Sequence, residues 1–427
     1  MPRGRGAEGP APRAALPGTA GRVGIAWPVM ADGSRVLIAG AGPVGLITAL
    51  SLARRGVPVT VLEAEPDLTI DLRAATFHPP TLDLLSKFGA SHRLIEMGLV
   101  APRLQYRDLA GWVAEFDFGL IADLTGHPFR IQCEQYKLNG VLAERLARFS
   151  HAKIDFSSTV TNVEQHANGV SVTIEGSAGQ RTATASWLIG ADGGRSRVRE
   201  VLGIHLEGFT WPERFLVAST PFEFAEVIPN LCDVSYFADP EEWFFLLRVP
   251  GMWRIMFPAH PEERDEDILS DESIEPRLQR VWKKPGRYEI THRTLYSVHQ
   301  RVAETYRKGR VFLAGDAAHL NNPLGGMGMN GGIHDAFNLA EKLARVLSEE
   351  VSQSELDRYE RQRRPIALEY VNKITIANKH NLETRDPEEQ QRWRETMMRT
   401  SNNQTVSREY LIQVSMLGSR RKAAAIG

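Results

Sequence analysis

The amino-acid sequence predicts an α/β protein in which a parallel-sheet domain is combined with an antiparallel sheet and a helical C-terminal region. Apolar runs at residues 34–39 and 57–62 flank a helical stretch at 43–55, which together form a β-α-β unit. Residues 209–290 instead contain alternating aromatic patterns that are typical of antiparallel strands. The chain then returns to an apolar strand at 311–314 and a long helix at about 330–348, and residues 355–427 are polar and mostly helical in pattern.

These patterns divide the chain into five segments. Residues 1–33 are rich in Arg, Ala, Gly and Pro, and we expect a disordered extension, with a transit peptide or a start at Met30 as alternatives. The parallel-sheet domain is assigned to residues 34–205 and 301–350, with an inserted antiparallel-sheet domain at 206–300. Residues 351–427 form the helical region, which we expect to pack on the fold or on a second subunit of a homodimer.

Composition and charge exclude several functional classes. The formal net charge of -1 creates no global field for binding nucleic acid. Cys133 and Cys232 lie far apart, so they form neither a disulfide framework nor a metal-ligand pair, and we expect no metal. No run of about 18 apolar residues is present, which predicts no transmembrane helix. The scarcity of cysteine suits a cytoplasmic protein.

The motif Gly40-Ala41-Gly42-Pro43-Val44-Gly45 lies between the first predicted strand and its helix. The first glycine allows a tight turn, the second lets the backbone approach a pyrophosphate, and the third lets helix and strand pack closely. The helix N-terminus offers free N–H groups to the phosphates. Glu63, about twenty residues on, can bind ribose hydroxyls and disfavours a 2′-phosphate. The sequence therefore predicts a Rossmann-type dinucleotide site, without distinguishing FAD from NAD.

Two later motifs favour FAD. One contains Asp192-Gly193, and the other contains Gly315-Asp316 and continues into Pro323-Leu324-Gly325-Gly326-Met327-Gly328-Met329-Asn330, where a helix begins. Asp316, just beyond a buried strand, can bind the hydroxyls of a ribitol chain. The glycines let the backbone approach a flat ring, and the positive end of the helix dipole would stabilise a reduced, anionic flavin.

As a set, the three motifs resemble the flavoprotein aromatic hydroxylases, the single-component FAD monooxygenases of the para-hydroxybenzoate hydroxylase type. The resemblance covers about residues 36–344 and is weakest in the antiparallel sheet and the tail. It implies FAD as cofactor, O2 as co-substrate, and NAD(P)H as a transient reductant that needs no second GxGxxG. The implied reaction hydroxylates a small phenolic or heteroaromatic compound through a flavin C4a-hydroperoxide. Another flavin oxidoreductase, such as a dehydrogenase, and a catalytically silent flavin-binding protein are the alternatives.

The resemblance also implies roles for single residues. Arg73 is expected to reach the FAD pyrophosphate and Gln135 the ribitol, with Gln132 as a rival. Asp192 is either linked to the cofactor or a cap that orders its turn. The three arginines that follow serve NAD(P)H or face solvent, and they are Arg195, Arg197 and Arg199. The expected cofactor contacts are Gly40, Gly42, Val44, Gly45, Glu63, Arg73, Gln135, Asp192, Asp316, Gly326, Gly328, Met329 and Asn330.

The sequence identifies no catalytic base. His78 and His319 are candidates for proton transfer, and a packed, hydrogen-bonded histidine is the alternative at each position. Pro323 resembles the family proline whose backbone carbonyl faces the substrate. Strand alternation puts Arg254 and Met256, together with Met252, on the face that could line the substrate pocket. There Arg254 binds a substrate carboxylate or forms a salt bridge at the rim.

Overall fold

The computed structural model describes residues 35–70, 72, 74–108 and 110–427. The predictions for residues 1–33 and for Arg73 lie outside the described residues. The strands, in chain order, are β1 (Val36–Ala39), β2 (Val59–Leu62), β3 (Thr76–Phe77), β4 (Leu99–Ala101), β5 (Arg103–Asp108), β6 (Gly111–Asp117), β7 (Arg130–Gln132), β8 (Ala152–Asp155), β9 (Ser158–His166), β10 (Gly169–Gly176), β11 (Gly179–Ala185), β12 (Trp187–Gly190), β13 (Leu206–Thr220), β14 (Val234–Ala238), β15 (Phe244–Val249), β16 (Met252–Ala259), β17 (His292–Ala303), β18 (Arg307–Lys308), β19 (Val311–Leu313) and β20 (His319–Leu320).

Helices pack against both large sheets. In chain order they are α1 (Pro43–Ala53), α2 (Pro79–Ser86), α3 (Ala90–Met97), α4 (Gln135–Leu146), α5 (Arg197–Val201), α6 (Phe224–Val227), α7 (Asp265–Ile268), α8 (Asp271–Val281), α9 (Gly328–Leu347), α10 (Asp357–Pro365), α11 (Asn372–Glu383), α12 (Pro387–Asn402), α13 (Gln404–Val414) and α14 (Leu417–Ala425). A π-helical segment, Ile366–Val371, joins α10 to α11. The helical pattern predicted for residues 355–427 is confirmed.

A six-stranded, mostly parallel sheet forms the first layer, in the order β18-β19-β12-β1-β2-β8. Strand β1 pairs in parallel with both β2 and β12, and all four of its residues are buried. Its apolar run does not alternate because both faces of the sheet are covered, and residues of helix α1 and of the antiparallel strands β9 and β10 share its core. The predicted β-α-β unit is therefore confirmed. The carboxyl ends of β1, β2, β12 and β19 meet at one edge, where ligands of such sheets bind.

An eight-stranded sheet forms the second layer, in the order β20-β17-β13-β16-β15-β14-β5-β6. The predicted hairpin between β15 and β16 is confirmed, and Gly251 in its turn has a φ of 78°. The sheet extends beyond the predicted segment 206–300, because β5 and β6 pair with it through β14. These two strands carry mixed polar and apolar residues, and their parallel pairing with a strand more than a hundred residues away leaves no local signal.

The two faces of this sheet contact different cores. Trp253, Ile255 and Phe257 pack with α6 and α8 on one face. Met256 lies on the other face, in a core that also contains residues of α11, α12 and α13. The predicted alternation along β16 is confirmed, and the C-terminal helices cover the face that carries Met256. Within the described part of the chain, no helix is both long and apolar enough to span a bilayer.

Candidate active site

The first glycine turn, residues 40–45, connects β1 to α1. Gly40 has a φ of 98°, and a Cβ on it would lie 2.4 Å from the carbonyl oxygen of Ala191. A Cβ on Gly45 would lie 2.0 Å from the carbonyl oxygen of Gly40. Both glycines are therefore required by the fold itself. A Cβ on Gly42 would meet no described atom within 4 Å, so open space lies in front of this part of the backbone.

The start of α1 leaves its N–H groups available to an anion. Gly42 caps the helix without a side-chain hydrogen bond, Pro43 is the first helical residue, and the first turn contains no acid. Val44 packs against the motif that follows β19, since a Cβ on Gly315 would lie 2.7 Å from its Cγ2. The first and third sequence motifs therefore meet in space.

Glu63 lies directly after β2, beside the first glycine turn. Its Oε2 accepts a hydrogen bond of 2.6 Å from the backbone N–H of Ala41, and its Oε1 accepts one of 3.0 Å from Glu65. The side chain is half-buried. This position suits a carboxylate that binds ribose hydroxyls next to the pyrophosphate site, and the contact stays a prediction.

The second glycine turn, residues 323–328, leads into α9. The N–H of Gly326 donates to the carbonyl oxygen of Pro323 at 2.9 Å, and Gly325 and Gly326 have φ values of 113° and 68°. Helix α9 begins at Gly328 without a side-chain cap and without an acid in its first turn. Its positive end is therefore available to an anionic group. Asp316, after β19, lies exposed at the same edge of the sheet.

Two side chains hold this turn, Asn330 from the first turn of α9 and His78 from a distant segment. The Asn330 amide donates to the carbonyl oxygens of Thr76 and Gly326 at 2.8 and 2.7 Å, and its Oδ1 accepts from the backbone N–H of His78 at 3.0 Å. The His78 Nε2 donates to the carbonyl oxygen of Gly325 at 2.9 Å. Burial, together with the charge of Arg130, lowers the pKa of His78 well below its usual range. These contacts favour the packed, hydrogen-bonded alternative for His78.

The start of the same turn is tied to α11. The Asn322 amide donates to Gln300 Oε1 at 3.3 Å and to the carbonyl oxygen of Thr375 at 3.0 Å, and its Oδ1 accepts from the N–H of Leu324 at 3.1 Å. All three polar side chains of this network are buried. Sequence reasoning missed this network, because Gln300 lies on β17 and Thr375 on α11 and only Asn322 adjoins a motif.

A buried ion pair supports the turn after β19. Asp335 of α9 accepts from Arg363 Nε at 2.6 Å, from His319 Nε2 at 2.6 Å and from the backbone N–H of Gly315 at 3.2 Å. Burial alone would raise the pKa of Asp335, but the charge of Arg363 and the bond from His319 outweigh it and lower this pKa to about 2. His319 is thus held by a carboxylate, which favours its packed alternative. Sequence reasoning missed Asp335 and Arg363.

The Asp192 motif is ordered by its own hydrogen bonds. Its carboxylate accepts from Ser196 Oγ at 2.6 Å and from the backbone N–H of Val198 at 3.1 Å, and burial raises the pKa of Asp192. Arg199 donates to the carbonyl oxygens of Ala317 and Gly194 at 3.1 and 2.9 Å, so it joins this turn to that after β19. Arg195 and Arg197 are exposed. The capping alternative accounts for these contacts of Asp192, and a cofactor contact stays a prediction.

The two candidate glutamines have different surroundings. Gln132 is fully buried, and its Oε1 accepts from Thr76 Oγ1 at 2.7 Å. Gln135 is half-buried as the first residue of α4, and its backbone N–H donates to Ala74 at 3.0 Å. Both therefore contact the segment 74–76, which follows the expected position of Arg73. The accessible side chain of Gln135 is the better placed of the two to reach a ligand.

Arg254 lies buried between β16 and the segment that precedes β3. Its guanidinium donates to the carbonyl oxygen of Leu72, and its Nη2 lies 3.8 Å from Glu134 Oε1. A carboxylate on a substrate would therefore compete with Glu134. Met256 lies on the same face and accepts a bond of 3.5 Å from the Tyr296 hydroxyl. A substrate contact for either residue stays a prediction.

A cavity of about 210 Å³ lies between β5 and helices α11, α12 and α13. The Asn378 side chain at its wall donates to the carbonyl oxygen of Leu324 at 3.2 Å, which places the cavity beside the second glycine turn. The hydroxyls of Tyr106 and Tyr410, both in its wall, lie 2.8 Å apart. Burial raises the pKa of Tyr106 well above its usual range and that of Tyr410 to about 12. The cavity lining is Tyr106, Ile374, Ala377, Asn378, Asn381, Leu382, Trp393, Met397, Tyr410, Gln413 and Val414.

The chemistry of the edge fits FAD. Gly42 presents bare backbone and open space where a pyrophosphate needs it. The helices α1 and α9 both begin there without acids in their first turns. Glu63 and Asp316 follow strands of the same sheet, where a ribose and a ribitol chain would lie. A mononucleotide would use only one of these two turns.

Comparison with known proteins gives the same result. Residues 33–373 match the family profile described as FAD binding domain. Para-nitrophenol 4-monooxygenase of Pseudomonas sp. (strain WBC-3) is 32% identical over 396 residues, which is 90% of this chain and 96% of that protein. The 6-hydroxy-3-succinoylpyridine 3-monooxygenase HspB of Pseudomonas putida (strain DSM 28022 / S16) is 34% identical and covers 83% of this chain and 90% of its own.

Solved structures include similar molecules. The crystal structure of p-nitrophenol 4-monooxygenase PnpA from Pseudomonas putida DLL-E4 has a TM-score of 0.85 and 30% identity, and covers 91% of this chain and 98% of that one. A ternary complex of aklavinone-11 hydroxylase with FAD and aklavinone has a TM-score of 0.74 and 28% identity. This match covers 83% of our chain and 70% of the hydroxylase chain.

Proposed function

Because this chain belongs to the FAD binding domain family and is an FAD-dependent aromatic monooxygenase, we propose that its substrate is a phenol with a single ring and no carboxylate. The substrate would occupy the cavity between β5 and helices α11 to α13. The observation that carries this proposal is the size and neutrality of that cavity, together with its position beside the second glycine turn.

The volume limits the substrate. In another protein a cavity of about 150 Å³ holds benzene, whereas drug-sized ligands need roughly 300 Å³ or more. At about 210 Å³, this cavity suits one ring with small substituents. Its described lining residues are uncharged, and the Arg130 guanidinium behind them already donates to the Val414 carbonyl oxygen at 3.3 Å, so a carboxylate placed there would lose its hydration without direct contact with a cation. The para-nitrophenol named for one relative agrees with a single ring and no carboxylate, whereas the 6-hydroxy-3-succinoylpyridine named for another agrees with a single ring but carries a carboxylate on its succinoyl group.

Bound FAD supplies the two-electron chemistry that activates O2. We propose that Gly42 and the start of α1 bind its pyrophosphate, with Arg73 as a further contact. Glu63 then binds the ribose and Asp316 the ribitol, beside Gln135. The backbone of residues 326–330 would hold the flat ring, and the positive end of α9 would favour a negative charge on it. NADH or NADPH serves as the reductant.

The Tyr106 and Tyr410 hydroxyls orient the phenol and handle its proton. Since each hydroxyl both donates and accepts, Tyr106 accepts the substrate proton while it passes its own to Tyr410, and the partly exposed Tyr410 releases its own proton to solvent water. Loss of that proton makes the ring a better nucleophile, which is the property that hydroxylation requires. Trp393 and Met397 line the cavity with apolar surface, which would help to exclude water from the reacting atoms.

The two sheets then have separate tasks. We propose that the parallel sheet binds the cofactor with residues before and after the antiparallel sheet, and that the antiparallel sheet and the C-terminal helices form the substrate domain. The buried contacts from Asn322 to both Gln300 and Thr375 support this division, since they fix the second glycine turn between the two parts.

The test is the oxidation of NADH and NADPH in air by the FAD-loaded protein with three classes of phenol. These are single-ring phenols with uncharged substituents, the same rings with a carboxylate, and fused-ring phenols. We expect the first class to stimulate NAD(P)H oxidation at least about tenfold more than the other two classes, and to give a product heavier by one oxygen. Preference for a carboxylate would favour Arg254 instead, and preference for fused rings would exclude this cavity as the substrate site. If neither nucleotide reduces the flavin, the proposal that NADH or NADPH is the reductant is wrong.

Matched tyrosine variants test the proton step. Tyr410→Phe keeps the ring and removes the hydroxyl, so kcat is expected to fall about 100-fold while KM changes little. Tyr288→Phe is the control, because its hydroxyl donates to the Trp282 carbonyl in the core on the other face of the sheet. Equal effects of the two changes on kcat would contradict the role of the pair.

A further inference from the structure

A second concavity lies among the helices of the parallel-sheet domain, along α1, α2, α9, α10 and α14. Its volume is about 1190 Å³. Because the whole chain has a formal net charge of -1, the excess of cations in this groove is local. Eight arginine or lysine side chains line it against two glutamates: Arg54, Arg55, Lys87, Lys342, Arg345, Arg358, Arg363 and Arg420 against Glu341 and Glu355.

Lys342 is a buried cation held by neutral groups. Its side chain is 7% exposed, and its ammonium donates to Asn338 Oδ1 and Gln362 Oε1, both at 2.9 Å. No carboxylate of the described chain lies within ion-pair distance of it. Burial lowers the pKa of Lys342 to about 8. An anion in the groove would offset this cost of burial.

Two more cations are placed by aromatic rings instead of carboxylates. Phe88 and Phe337 stack with ring centroids 5.1 Å apart. The guanidinium of Arg54 lies 5.3 Å from the Phe88 centroid, and the ammonium of Lys87 lies 5.9 Å from that of Phe337. Such cation–π contacts leave the charges unneutralised, so they remain available to an anion.

His334 provides an independent sign of a missing ligand. Its side chain is 4% exposed and lines the groove, and its Nε2 lies 3.0 Å from Thr81 Oγ1. Its Nδ1 is buried and has no hydrogen-bond partner among the described residues. When the Thr81 hydroxyl donates to Nε2, the Nδ1–H is a donor with no acceptor. Buried polar atoms of this kind are rare in folded proteins.

We propose that this groove binds a small polyanion of the diphosphate class. The concave shape and the volume suit a small molecule, and a chain with a formal net charge of -1 creates no global field that would attract a nucleic acid or an anionic membrane. Two phosphoryl groups can contact several of the unneutralised cations at once, whereas a single carboxylate cannot.

The groove is connected to the cofactor site through one arginine. Arg363 lines the groove, and its Nε donates to the Asp335 carboxylate that also accepts from Gly315. Helix α9 contributes residues from His334 onward to the groove, whereas the second glycine turn ends at Gly328, where the helix begins. The bound anion would therefore act as an effector that touches the support of the flavin site, and it would not be the reductant.

The test is titration calorimetry of the FAD-loaded protein with inorganic pyrophosphate at pH 7 and low ionic strength. FAD must be present because its own pyrophosphate site would otherwise bind the probe. We expect saturable binding of one pyrophosphate per chain. Lys342→Met should weaken it about tenfold or more, and so should Arg420→Gln. The matched control is Arg399→Gln, an exposed arginine of α12 that lies outside the groove, and its affinity should equal that of the parent.

Two results would overturn the proposal. One is the absence of saturable binding to the parent protein, and the other is an affinity that neither groove variant changes. Arg420 is exposed on α14, so its variant keeps the test valid if Lys342→Met does not fold.

Discussion

The two glycine turns lie at the edge where we propose that both bind the same cofactor, but different forces hold them. In residues 40–45 the constraint is steric, because a Cβ on Gly40 would overlap the carbonyl oxygen of Ala191 and one on Gly45 would overlap that of Gly40. In residues 323–328 the constraint comes from side-chain hydrogen bonds, since His78 and Asn330 hold the carbonyl oxygens of Gly325 and Gly326. The comparison teaches that close backbone packing specifies the first turn, whereas polar side chains specify the second.

The largest expected effect is the loss of stability when the buried ion pair between α9 and α10 is broken. Asp335→Asn leaves the Arg363 guanidinium buried without its carboxylate, and we expect the free energy of unfolding to fall by about 3–5 kcal/mol. Chemical unfolding followed by circular dichroism measures this. The double variant Asp335→Asn/Arg363→Met should recover part of the loss. If the single variant costs less than about 1 kcal/mol, distant side chains do not hold this half of the site.

The first turn separates folding from binding. Gly45→Ala places a methyl group against the Gly40 carbonyl, and we expect a loss of about 3 kcal/mol in the free energy of unfolding. Gly42→Ala is the matched control, because its methyl group meets no described atom within 4 Å. Its apo-protein should unfold like the parent, while its FAD dissociation constant rises. Unchanged FAD binding by Gly42→Ala would contradict the pyrophosphate site.

The second turn should lose stability and cofactor affinity together. Asn330→Ala removes hydrogen bonds to Thr76, Gly326 and His78, so we expect a loss of about 2 kcal/mol and a FAD dissociation constant about tenfold higher. Asn338→Ala, on the same helix but away from the turn, should leave FAD affinity unchanged. Flavin fluorescence titrations measure the two dissociation constants, and equal values would contradict a role of Asn330 in FAD binding.

The smallest effect is a pH dependence. The pKa of His78 is lowered by burial, so the folded protein keeps it neutral while the unfolded chain protonates it below about pH 6.5. Stability should therefore fall as the pH decreases from 7 to 5, with less than about 2 kcal/mol from this residue. His334 shares this direction for the same reason. In His78→Gln the decline should be smaller, and an identical pH profile would contradict a buried neutral His78.

Much of the cofactor half of the site could be predicted from the sequence. The glycines of the first turn, Glu63 and Asp316 follow strands whose apolar runs are visible, and parallel strands bring their carboxyl ends together. The substrate half could not. Tyr106 lies on β5, whose pattern is mixed, and Tyr410 lies in the tail, where the family resemblance is weakest. Their hydroxyls meet across more than 300 residues of sequence, and no local pattern records such a contact.

The residues that support the turns could not be predicted from the sequence either, for a related reason. Asp335 and Arg363 are charged residues on helices, where solvent exposure is the usual expectation. Their burial follows only from the packing of α10 against α9. The sequence offers His78 and His319 as chemical groups because His78 follows closely after Arg73 and His319 lies in the motif of Asp316, while the structure gives both a hydrogen-bonded position inside the fold.

The central claim, insertion of oxygen into a single-ring phenol, is tested most directly by turnover of the FAD-loaded protein under ¹⁸O2. The phenol should be the one that most stimulates NAD(P)H oxidation, and its product should be analysed by mass spectrometry. The account predicts one ¹⁸O atom in each product molecule and about one NAD(P)H consumed for each hydroxylation. Recovery of the label only as hydrogen peroxide or water, with the phenol unchanged, would contradict it.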